Sequence, residues 1–376
     1  MPEPITVLLL IPHLGGGGAE RVMELLARHL PLRGMRVHLG VVTRQQMGGA
    51  EGMAEELPEL LTVHRLNCRR IRHAALPILR LIHKTKPQVI LTGIVHLNHL
   101  LLMLRPLIAR EHALLIRQTS APSTLVAAYR HPRLVRLLYG RAHGIICQSD
   151  AMARELTTLL HPRPGHVHVL RNPIDLAAIE RERAGGRDEA QLPWRNRGAR
   201  LISLGRLSEE KGYDLLIEAV AHLRRQMPEV ELLLLGEGIE RAALERQAAR
   251  LGIEDAIHFA GYNRRPWRYF ASASLYVQPS RHEGMPNALL EAAAAGLPIV
   301  STPSTAGITD VAGNQEGIWI CREVSVQSLT ETLTEALHSL KAGNRFAHAW
   351  LDEFGLERAV EGYAQLFEET AARVRS

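Results

Sequence analysis

The sequence predicts an α/β fold with two doubly wound parallel-sheet domains. At 376 residues the chain is long for a single hydrophobic core. Short, continuously apolar runs alternate with helical patterns, which is typical of a parallel sheet covered by helices on both faces. The alternation restarts at residue 201, after a charged, glycine-containing stretch at 180–200 that we interpret as the region joining the domains.

The elements of the predicted N-terminal domain, residues 1–180, follow one another in a regular order. An amphipathic helix follows the first apolar run, and the runs lie at 5–12, 37–43, 61–67, 88–93, 113–118, 144–149 and 167–175. The predicted C-terminal domain, residues 181–350, has runs that begin at 201 and continue at 230–238, 257–262, 275–280, 298–302 and 317–320. A helical pattern at 344–374 closes the chain, and residues 351–376 are predicted to form a separate final segment.

The formal charge of +6 is unevenly distributed. Residues 1–180 hold 22 Lys and Arg against 12 Asp and Glu, a net +10, whereas the remainder holds 23 against 27, a net −4. A basic N-terminal half beside a slightly acidic C-terminal half indicates that the two halves meet different partners. Aromatic residues make up only 4% of the chain and are not interleaved with the basic residues, so we expect no nucleic-acid partner.

The cysteines and the apolar segments indicate a cytoplasmic protein. Cys68, Cys147 and Cys321 are scattered, with neither metal-ligand spacing nor a pairing pattern. The first residues lack a basic region and read as a strand rather than a signal peptide. The longest apolar run, 89–104, contains polar residues and is too short to span a bilayer. We therefore expect no transmembrane helix.

A glycine-rich loop follows the first predicted strand. Gly15 to Gly18 open a helix, where free backbone N–H groups can meet a phosphate. A dinucleotide fingerprint requires a third glycine, but that position is Glu20, and the strand at 37–43 ends without the acidic residue that binds an NAD ribose. These departures argue against an NAD-dependent dehydrogenase. Without a ligand, the loop would be a flexible turn.

The corresponding loops of the second domain carry charge. Arg206 and Lys211 lie between the strand at 201 and the next helix, where two cations are suited to neutralising a diphosphate. Gly236 and Glu237 follow the next strand. Because ligands of open α/β sheets bind outside the carboxyl ends of the strands, we expect these loops to form a site. An exposed charged loop is the alternative interpretation.

The segment "SRHEGMPNALLEAAAAGLPIV", residues 280–300, is the most informative. Glu283 precedes a predicted helix, and Glu291 lies eight positions later, slightly more than two helical turns, so both carboxylates lean to a similar face. The backbone N–H groups around 284–287 can donate to an anion or to a sugar hydroxyl. A helix cap would explain Glu283 but not Glu291.

This segment resembles the E-x7-E motif of retaining glycosyltransferases of family 4, which have the GT-B fold of two facing Rossmann-like domains. The resemblance extends, in family order, to "GGGGAERV", "RNPID", "SLGRLSEEKGYDLLIEA" and "LLLLGEGIERAAL". It covers most of the chain, although residues 44–85 and 120–140 match poorly. It implies that the C-terminal helices cross back to the first domain.

The resemblance also implies roles for individual residues. Arg206 and Lys211 would hold the donor diphosphate, Glu283 would contact the donor sugar, and the histidine that reaches this sugar is His96 or its rival His99. No metal and no cofactor are implied. The residues implied to bind the nucleotide sugar are Gly16, Gly17, Gly18, Arg206, Lys211, Gly236, Glu237, Tyr262, Glu283, Gly284, Met285, Pro286, Asn287, Ala288 and Glu291.

A basic, partly apolar segment at 65–87 indicates a membrane partner. Cations at roughly helical spacing among apolar residues favour an anionic membrane surface, and a solvated helix is the alternative; the cations are Arg69, Arg70, Arg72, Lys84 and Lys86. "VHLN" and "IRQTSAP" resemble bacterial enzymes that extend polyprenyl-diphosphate-linked glycans. That resemblance implies a lipid-linked or glycan acceptor and a peripheral position on the cytoplasmic face of the inner membrane.

The function expected from the resemblance is metal-independent, retaining transfer of a hexose or N-acetylhexosamine from a nucleotide-diphosphate sugar, with UDP as the expected nucleotide. The acceptor would belong to bacterial glycolipid or polysaccharide biosynthesis. Two alternatives remain open at this point. One is a GT-B nucleotide-sugar epimerase, and the other is a noncatalytic nucleotide-sugar-binding protein.

Overall fold

The computed structural model describes residues 4–15, 17–44, 58–129, 132–184, 193–196, 198–263, 266–304, 307, 309, 312, 315–341 and 343–375. The chain divides into two compact units: Met1–Pro173 with Glu353–Ser376, and Ile174–Asp352. The predicted boundaries at 180/181 and 350/351 differ slightly from these. The first differs because residues 176–184, whose charged sequence resembles a linker, form a helix of the second unit.

The first unit contains a parallel sheet with helices on both faces. Its strands are β1 Thr6–Ile11, β2 Arg36–Thr43, β3 Leu61–Cys68, β4 Val89–Thr92, β5 Ala113–Arg117, β6 Gly144–Cys147 and β7 Val167–Val169, in the spatial order β3-β2-β1-β4-β5-β6-β7. Its first helices are α1 Gly18–His29, α2 Ala75–Thr85, α3 Val95–Leu104, α4 Pro122–Tyr129, α5 Pro132–Tyr139 and α6 Asp150–Leu160. Every strand pairing in this sheet is parallel.

The second unit has the same kind of sheet. Its strands are β8 Arg200–Leu204, β9 Glu231–Leu235, β10 Ile257–Gly261, β11 Leu275–Gln278, β12 Ile299–Ser301 and β13 Ile318–Ile320, in the order β10-β9-β8-β11-β12-β13. The helices described in this unit are α7 Leu176–Ala184, α8 Tyr213–Arg224, α9 Arg241–Arg250, α10 Trp267–Phe270, α11 Asn287–Ala294 and α12 Val326–Ser339. Helix α7 contacts α10 and α11, so it belongs to this unit.

The C-terminal helix α13, Leu356–Arg375, packs on the sheet of the first unit. Its Val360, Tyr363 and Phe367 are buried with β1 residues such as Leu9 in one hydrophobic core. This confirms the predicted return of the chain. The pattern at 344–374 is helical only in part, because a 3-10 helix at Ala349–Phe354 precedes α13 and residues 344–348 are not helical.

Arg171 connects the two places where the chain leaves and re-enters the first unit. Its guanidinium lies 2.8 Å from the Asp150 carboxylate and 3.3 Å from that of Glu353, and it stacks 5.9 Å from the centre of the Phe354 ring. Arg171 lies just before Pro173, where the chain leaves the first unit, and Glu353 is the residue at which the chain returns to it. The Arg171 side chain therefore links the two ends of the first unit's chain segments.

Each sheet reverses its strand order once, between β1 and β4 in the first unit and between β8 and β11 in the second. At such a switch point neighbouring loops leave the sheet in opposite directions and open a crevice at the carboxyl edge, where ligands bind. The segments after β8 and β11 carry Lys211 and Glu283. In the first unit, Gly17 lies in the loop after β1, and His96 lies in the first turn of α3, after β4. The topology thus brings the sequence motifs of each unit to the carboxyl edge of its own sheet.

Among the described helices, none combines the length and the apolar character that crossing a membrane requires.

Candidate active site

The loops after β8 and β11 pack closely in the second unit. Gly212 has a positive φ of 65°, and a Cβ at this position would collide with the carbonyl oxygen of Pro279. Gly236, after β9, likewise approaches the Gly205 carbonyl so closely that a Cβ would collide with it. Glycine is therefore required at both positions, because the backbones meet where any side chain would separate them.

The carboxylate of Glu283 is held at one oxygen. Its Oε1 accepts hydrogen bonds from Lys211 Nζ at 2.6 Å, Ser280 Oγ at 2.7 Å and Gln278 Nε2 at 3.0 Å. The side chain is only 10% exposed, so these charge-assisted bonds form in a partly desolvated place where they are strong. Within the described part of the chain, no donor reaches Oε2. One oxygen thus fixes the group and the other is left for a ligand.

A buried polar chain supports this carboxylate. Tyr276 donates its hydroxyl to Gln278 Oε1 at 2.6 Å, and Gln278 Nε2 in turn donates to Ser280 Oγ at 2.6 Å. Burial raises the pKa of Tyr276 well above its usual value, and the carboxylates Glu283 and Glu291 act in the same direction. Tyr276 therefore remains a protonated donor that orients the Gln278 amide toward Glu283.

The loop that carries Lys211 is fixed to the loop that carries Glu283 by a second ion pair. Arg281 binds both carboxylate oxygens of Asp214, at 2.7 and 2.6 Å, and donates to the Glu209 carbonyl at 2.9 Å. Burial would raise the pKa of Asp214, but the hydrogen bonds and charge of Arg281 outweigh it and lower this pKa. Arg281 therefore acts as a positioning residue for Lys211.

Substitution of Arg281 by alanine should lower kcat about tenfold, because small displacements of a reacting group are costly. Because the pKa of Asp214 is lowered in the folded protein, the pair stabilises the fold above the unfolded aspartate value of about 3.9, and this contribution is lost as the pH falls through the folded value. Urea unfolding should show a loss of about 0.5–1 kcal/mol at pH 7 that shrinks in acid.

The control for this substitution is Arg373→Ala, which removes another surface arginine paired with a glutamate, Glu369, on α13. It should leave kcat unchanged. Equal kcat values for the wild type and Arg281→Ala would contradict the positioning role.

The remaining loop residues of the second unit differ in their surroundings. Arg206 is exposed, and among the described side chains none forms a hydrogen bond or an ion pair with its guanidinium, so it can meet an anion. Glu237 forms an ion pair with Arg241 at the start of α9, which turns its carboxylate toward that helix. Tyr262, after β10, is 40% exposed.

Helix α11 begins at Asn287 without a side-chain cap, and Pro286 occupies its N-cap position. Gly284, Met285 and Pro286 thus lead into the helix, and Asn287 and Ala288 are its first residues. Glu291 lies on this helix, is 7% exposed, and accepts a hydrogen bond from Trp267 Nε1 at 3.0 Å. Burial raises the pKa of Tyr276, and the charges of Glu283 and Glu291 both act in the same direction.

In the glycine loop of the first unit, two backbone N–H groups already donate hydrogen bonds to glutamate side chains of the protein. Gly15 N donates to Glu24 Oε1 at 3.1 Å, and Gly17 N donates to Glu20 Oε2 at 3.1 Å. Glu20, which replaces the third glycine of a dinucleotide fingerprint, is 4% exposed and caps the helix that begins at Gly18. Gly16 lies outside the described residues.

The two candidate histidines differ in exposure. His96, near the start of α3, is exposed, whereas His99 is buried and its ring lies 6.1 Å from that of Tyr139. Burial, assisted by the charge of His96, lowers the pKa of His99. The exposed His96 is therefore the histidine with a surface on which a ligand could bind.

The predicted basic segment extends over α2 and both of its flanks. The cations named from the sequence are exposed, with Arg69, Arg70 and Arg72 before α2 and Lys84 and Lys86 at its end. The exposed Arg80 lies on α2 between them. In the described part of the chain no group of three or more His, Cys, Asp or Glu could hold a metal ion.

Two family models match the chain, one over each unit. Glycosyltransferase Family 4 matches residues 16–178, and Glycosyl transferases group 1 matches residues 186–349. The chain belongs to glycosyltransferase family 4. It is therefore a GT-B glycosyltransferase, and the resemblance stated from the E-x7-E motif is confirmed.

Relatives of this family 4 chain include proteins named as bacterial glycosyltransferases. It is 28% identical over 324 residues to N-acetylgalactosamine-N,N'-diacetylbacillosaminyl-diphospho-undecaprenol 4-alpha-N-acetylgalactosaminyltransferase of Campylobacter jejuni, covering 82% of this chain and 83% of that protein. It is 30% identical over 247 residues to the lipopolysaccharide core biosynthesis glycosyltransferase LpsE of Rhizobium meliloti, covering 61% and 66%.

Solved structures show the same fold. Anabaena HepE in complex with UDP and glucose has a TM-score of 0.78 at 19% identity, covering 97% of this chain and 99% of that one. WaaG, a glycosyltransferase of lipopolysaccharide biosynthesis, has a TM-score of 0.68 at 18% identity, covering 98% and 99%. These similarities confirm the GT-B fold of this family 4 enzyme.

Sequence reasoning missed several residues of the site. Tyr276, Gln278 and Ser280 alternate along β11 and its end, so a period of two in an otherwise apolar strand would have shown that they share a face. Trp267 and the pair of Arg281 with Asp214 carried no such signal, because their partners are remote in the sequence.

Proposed function

We propose that the protein is a retaining, metal-independent glycosyltransferase. It transfers a hexose or N-acetylhexosamine from a UDP-sugar to a lipid-linked or growing glycan in bacterial glycolipid or polysaccharide biosynthesis. The observation that carries this proposal is the pairing of Lys211 with Glu283, which lies just before the start of α11. A cation, a carboxylate and a helix N-terminus at one sheet edge match the phosphate and the sugar of one donor.

The diphosphate is the part of the donor whose charge changes most. As the bond from the anomeric carbon to the diphosphate oxygen breaks, negative charge develops on the leaving group and positive charge on the sugar. Lys211, the exposed Arg206 and the start of α11 stabilise the negative charge, so no metal ion is needed for that purpose. Glu283, with its second oxygen open, lies where it can stabilise the sugar.

Retention follows if the acceptor oxygen attacks the face from which the diphosphate leaves. The acceptor proton then passes to a leaving diphosphate oxygen, so no separate base is required. His96 would contact the donor sugar. Glu291, oriented by Trp267, would accept hydrogen bonds from the ribose hydroxyls, and Tyr262 would line the base.

The similarities support the donor and the acceptor. UDP is present in the HepE complex, and the Campylobacter jejuni relative is named for an undecaprenol-diphosphate acceptor. Cys68, Cys147 and Cys321 are free and buried, as expected in the reducing cytoplasm. We therefore place the enzyme on the cytoplasmic face of the membrane, where the exposed cations beside α2 would attract anionic lipids.

Thermal unfolding with a panel of nucleotides tests the donor. A ligand at a hundred times its Kd stabilises the folded state by about 2.7 kcal/mol, so UDP and one UDP-sugar should raise Tm by several degrees, with or without a chelator. The control is the Glu291→Gln variant, in which the shift should fall while the unliganded Tm changes little. If no nucleotide sugar stabilises the protein or is turned over, the donor assignment is wrong. A product of inverted anomeric configuration would exclude retention.

A further inference from the structure

Helix α5 presents an unusual outer face. Its Val135 and Tyr139 are buried in the core at 1% and 2% exposure, whereas Leu134 and Leu137 are 46% and 61% exposed. The two exposed leucines are three positions apart and therefore neighbours on one stripe. Arg133 and Arg136 are also exposed and form the adjacent stripe. The outer face thus consists of two leucines beside two arginines.

The neighbouring helix adds further apolar surface. Met103, near the end of α3, is 56% exposed, and Leu107, in the 3-10 helix that follows, is 70% exposed. Arg141, just after α5, donates a hydrogen bond to the Leu102 carbonyl at 3.2 Å, which ties the ends of α3 and α5 together. We define the α3–α5 surface as Met103, Leu107, Arg133, Leu134, Arg136 and Leu137.

The segment that carries this surface is rich in arginine. Residues 101–142 contain seven arginines and one acidic residue, Glu111. Neither Arg133 nor Arg136 forms an ion pair within the described part of the chain. The arginines therefore remain available to an anionic partner, and the leucines between them require that this partner also be apolar.

These two requirements select among partners. A nucleic acid would satisfy the arginines, but no exposed aromatic ring lies on the surface for a base to stack on. A second copy related by a two-fold axis would bring like charges together. An anionic bilayer supplies phosphates at its surface and acyl chains directly beneath, and arginines beside leucines on one helix face match that order.

We propose that the α3–α5 surface docks on an anionic lipid bilayer. Leu134, Leu137, Met103 and Leu107 enter the boundary between headgroups and acyl chains, while Arg133 and Arg136 bind lipid phosphates. This inference rests on the proposed function, because docking brings the enzyme to a lipid-linked acceptor. It is separate from the prediction made from residues 65–87, whose cations lie on α2 and on its flanks.

Sedimentation with vesicles tests the surface. Wild-type protein should bind vesicles that contain phosphatidylglycerol, bind less as salt is raised, and bind pure phosphatidylcholine weakly. Leu134→Ser with Leu137→Ser should lower the partition coefficient at least about tenfold at every salt concentration. Arg133→Gln with Arg136→Gln should lower binding to the anionic vesicles and weaken the salt dependence. Because these side chains are exposed, Tm should not change.

Leu32→Ser is the matched control. Leu32 is 73% exposed, but its neighbour Arg33 is already paired with Glu361 at 2.6 Å. Its substitution should leave vesicle binding unchanged. Wild-type binding by the double leucine variant, or no binding of the wild type to anionic vesicles, would overturn the proposal. A wild-type dimer that the leucine variant dissociates would assign the surface to a second copy instead.

Donor hydrolysis by water, measured without lipid, separates this inference from the proposed function. The double leucine variant should hydrolyse the donor like the wild type. If the wild type hydrolyses the donor but does not bind vesicles, only the docking inference fails. If it binds vesicles but neither binds nor hydrolyses any nucleotide sugar, only the proposed function fails.

Discussion

Replacement of Lys211 by alanine should lower kcat for sugar transfer by about 10²–10³, the effect of removing one preorganised stabilising group from a transition state. Lys211 is 22% exposed and lies 2.6 Å from Glu283 Oε1, so its ammonium group is fixed before the donor arrives. Its charge matters most when the diphosphate leaves. We therefore expect a larger effect on kcat than on the donor KM, measured by nucleotide release at saturating acceptor.

The chain offers a matched control for this prediction. Lys341 is the other lysine of the second unit and is exposed away from the strand ends, after α12. Lys341→Ala should have wild-type kcat and KM. Lys211→Arg should recover only part of the activity, because the planar guanidinium is larger and differs in geometry from the ammonium group. A kcat for Lys211→Ala within twofold of wild type would refute the assignment.

The sheets and the order of the motifs could be predicted because they depend on local patterns. Continuous apolar runs identified the strands, and parallel strands must deliver their following loops to one edge. The eight-residue spacing of Glu283 and Glu291 also follows from helical geometry. The boundary after Pro173 was less predictable, because the charged residues of α7 resemble a linker until their packing on α10 and α11 is seen.

The contacts that fix the site could not be predicted in the same way. Arg281 binds Asp214 across 67 positions, and no periodicity connects the two residues. Glu20 looked like a departure from a fingerprint until its bond to Gly17 N showed that it caps a helix. His96 and His99 are only three positions apart on α3, yet His96 is exposed and His99 is buried. Which of the two histidines faces the core can be predicted only when the helix that packs against α3 is known.

Glu283→Gln should lower kcat by about 10²–10³ while leaving donor binding within a few fold of wild type. The side-chain carbonyl of glutamine can still accept the hydrogen bonds from Lys211, Ser280 and Gln278, so the loop should keep its position and Tm should change little. What the variant loses is the negative charge beside the sugar. Nucleotide release and calorimetric titration of the donor measure the two quantities separately.

Glu231→Gln is the control for this prediction. Glu231 is also a buried carboxylate of the second unit and accepts from the backbone N–H groups of Arg195 and Asn196, but it begins β9, at the amino edge of the sheet. Its substitution should lower Tm and leave kcat unchanged. If the protein only bound nucleotide sugars without catalysing transfer, the wild type itself would show no turnover, and Glu283→Gln could not lower it.

The double variant Glu283→Gln with Lys211→Ala distinguishes a working unit from two independent groups. Lys211 and Glu283 share one hydrogen bond at the same sheet edge, so each helps to position the other. We therefore expect the double variant to lose about as much activity as the more affected single variant. Full additivity of the two losses would mean that each side chain acts on its own part of the donor and that their contact only sets the shape of the empty site.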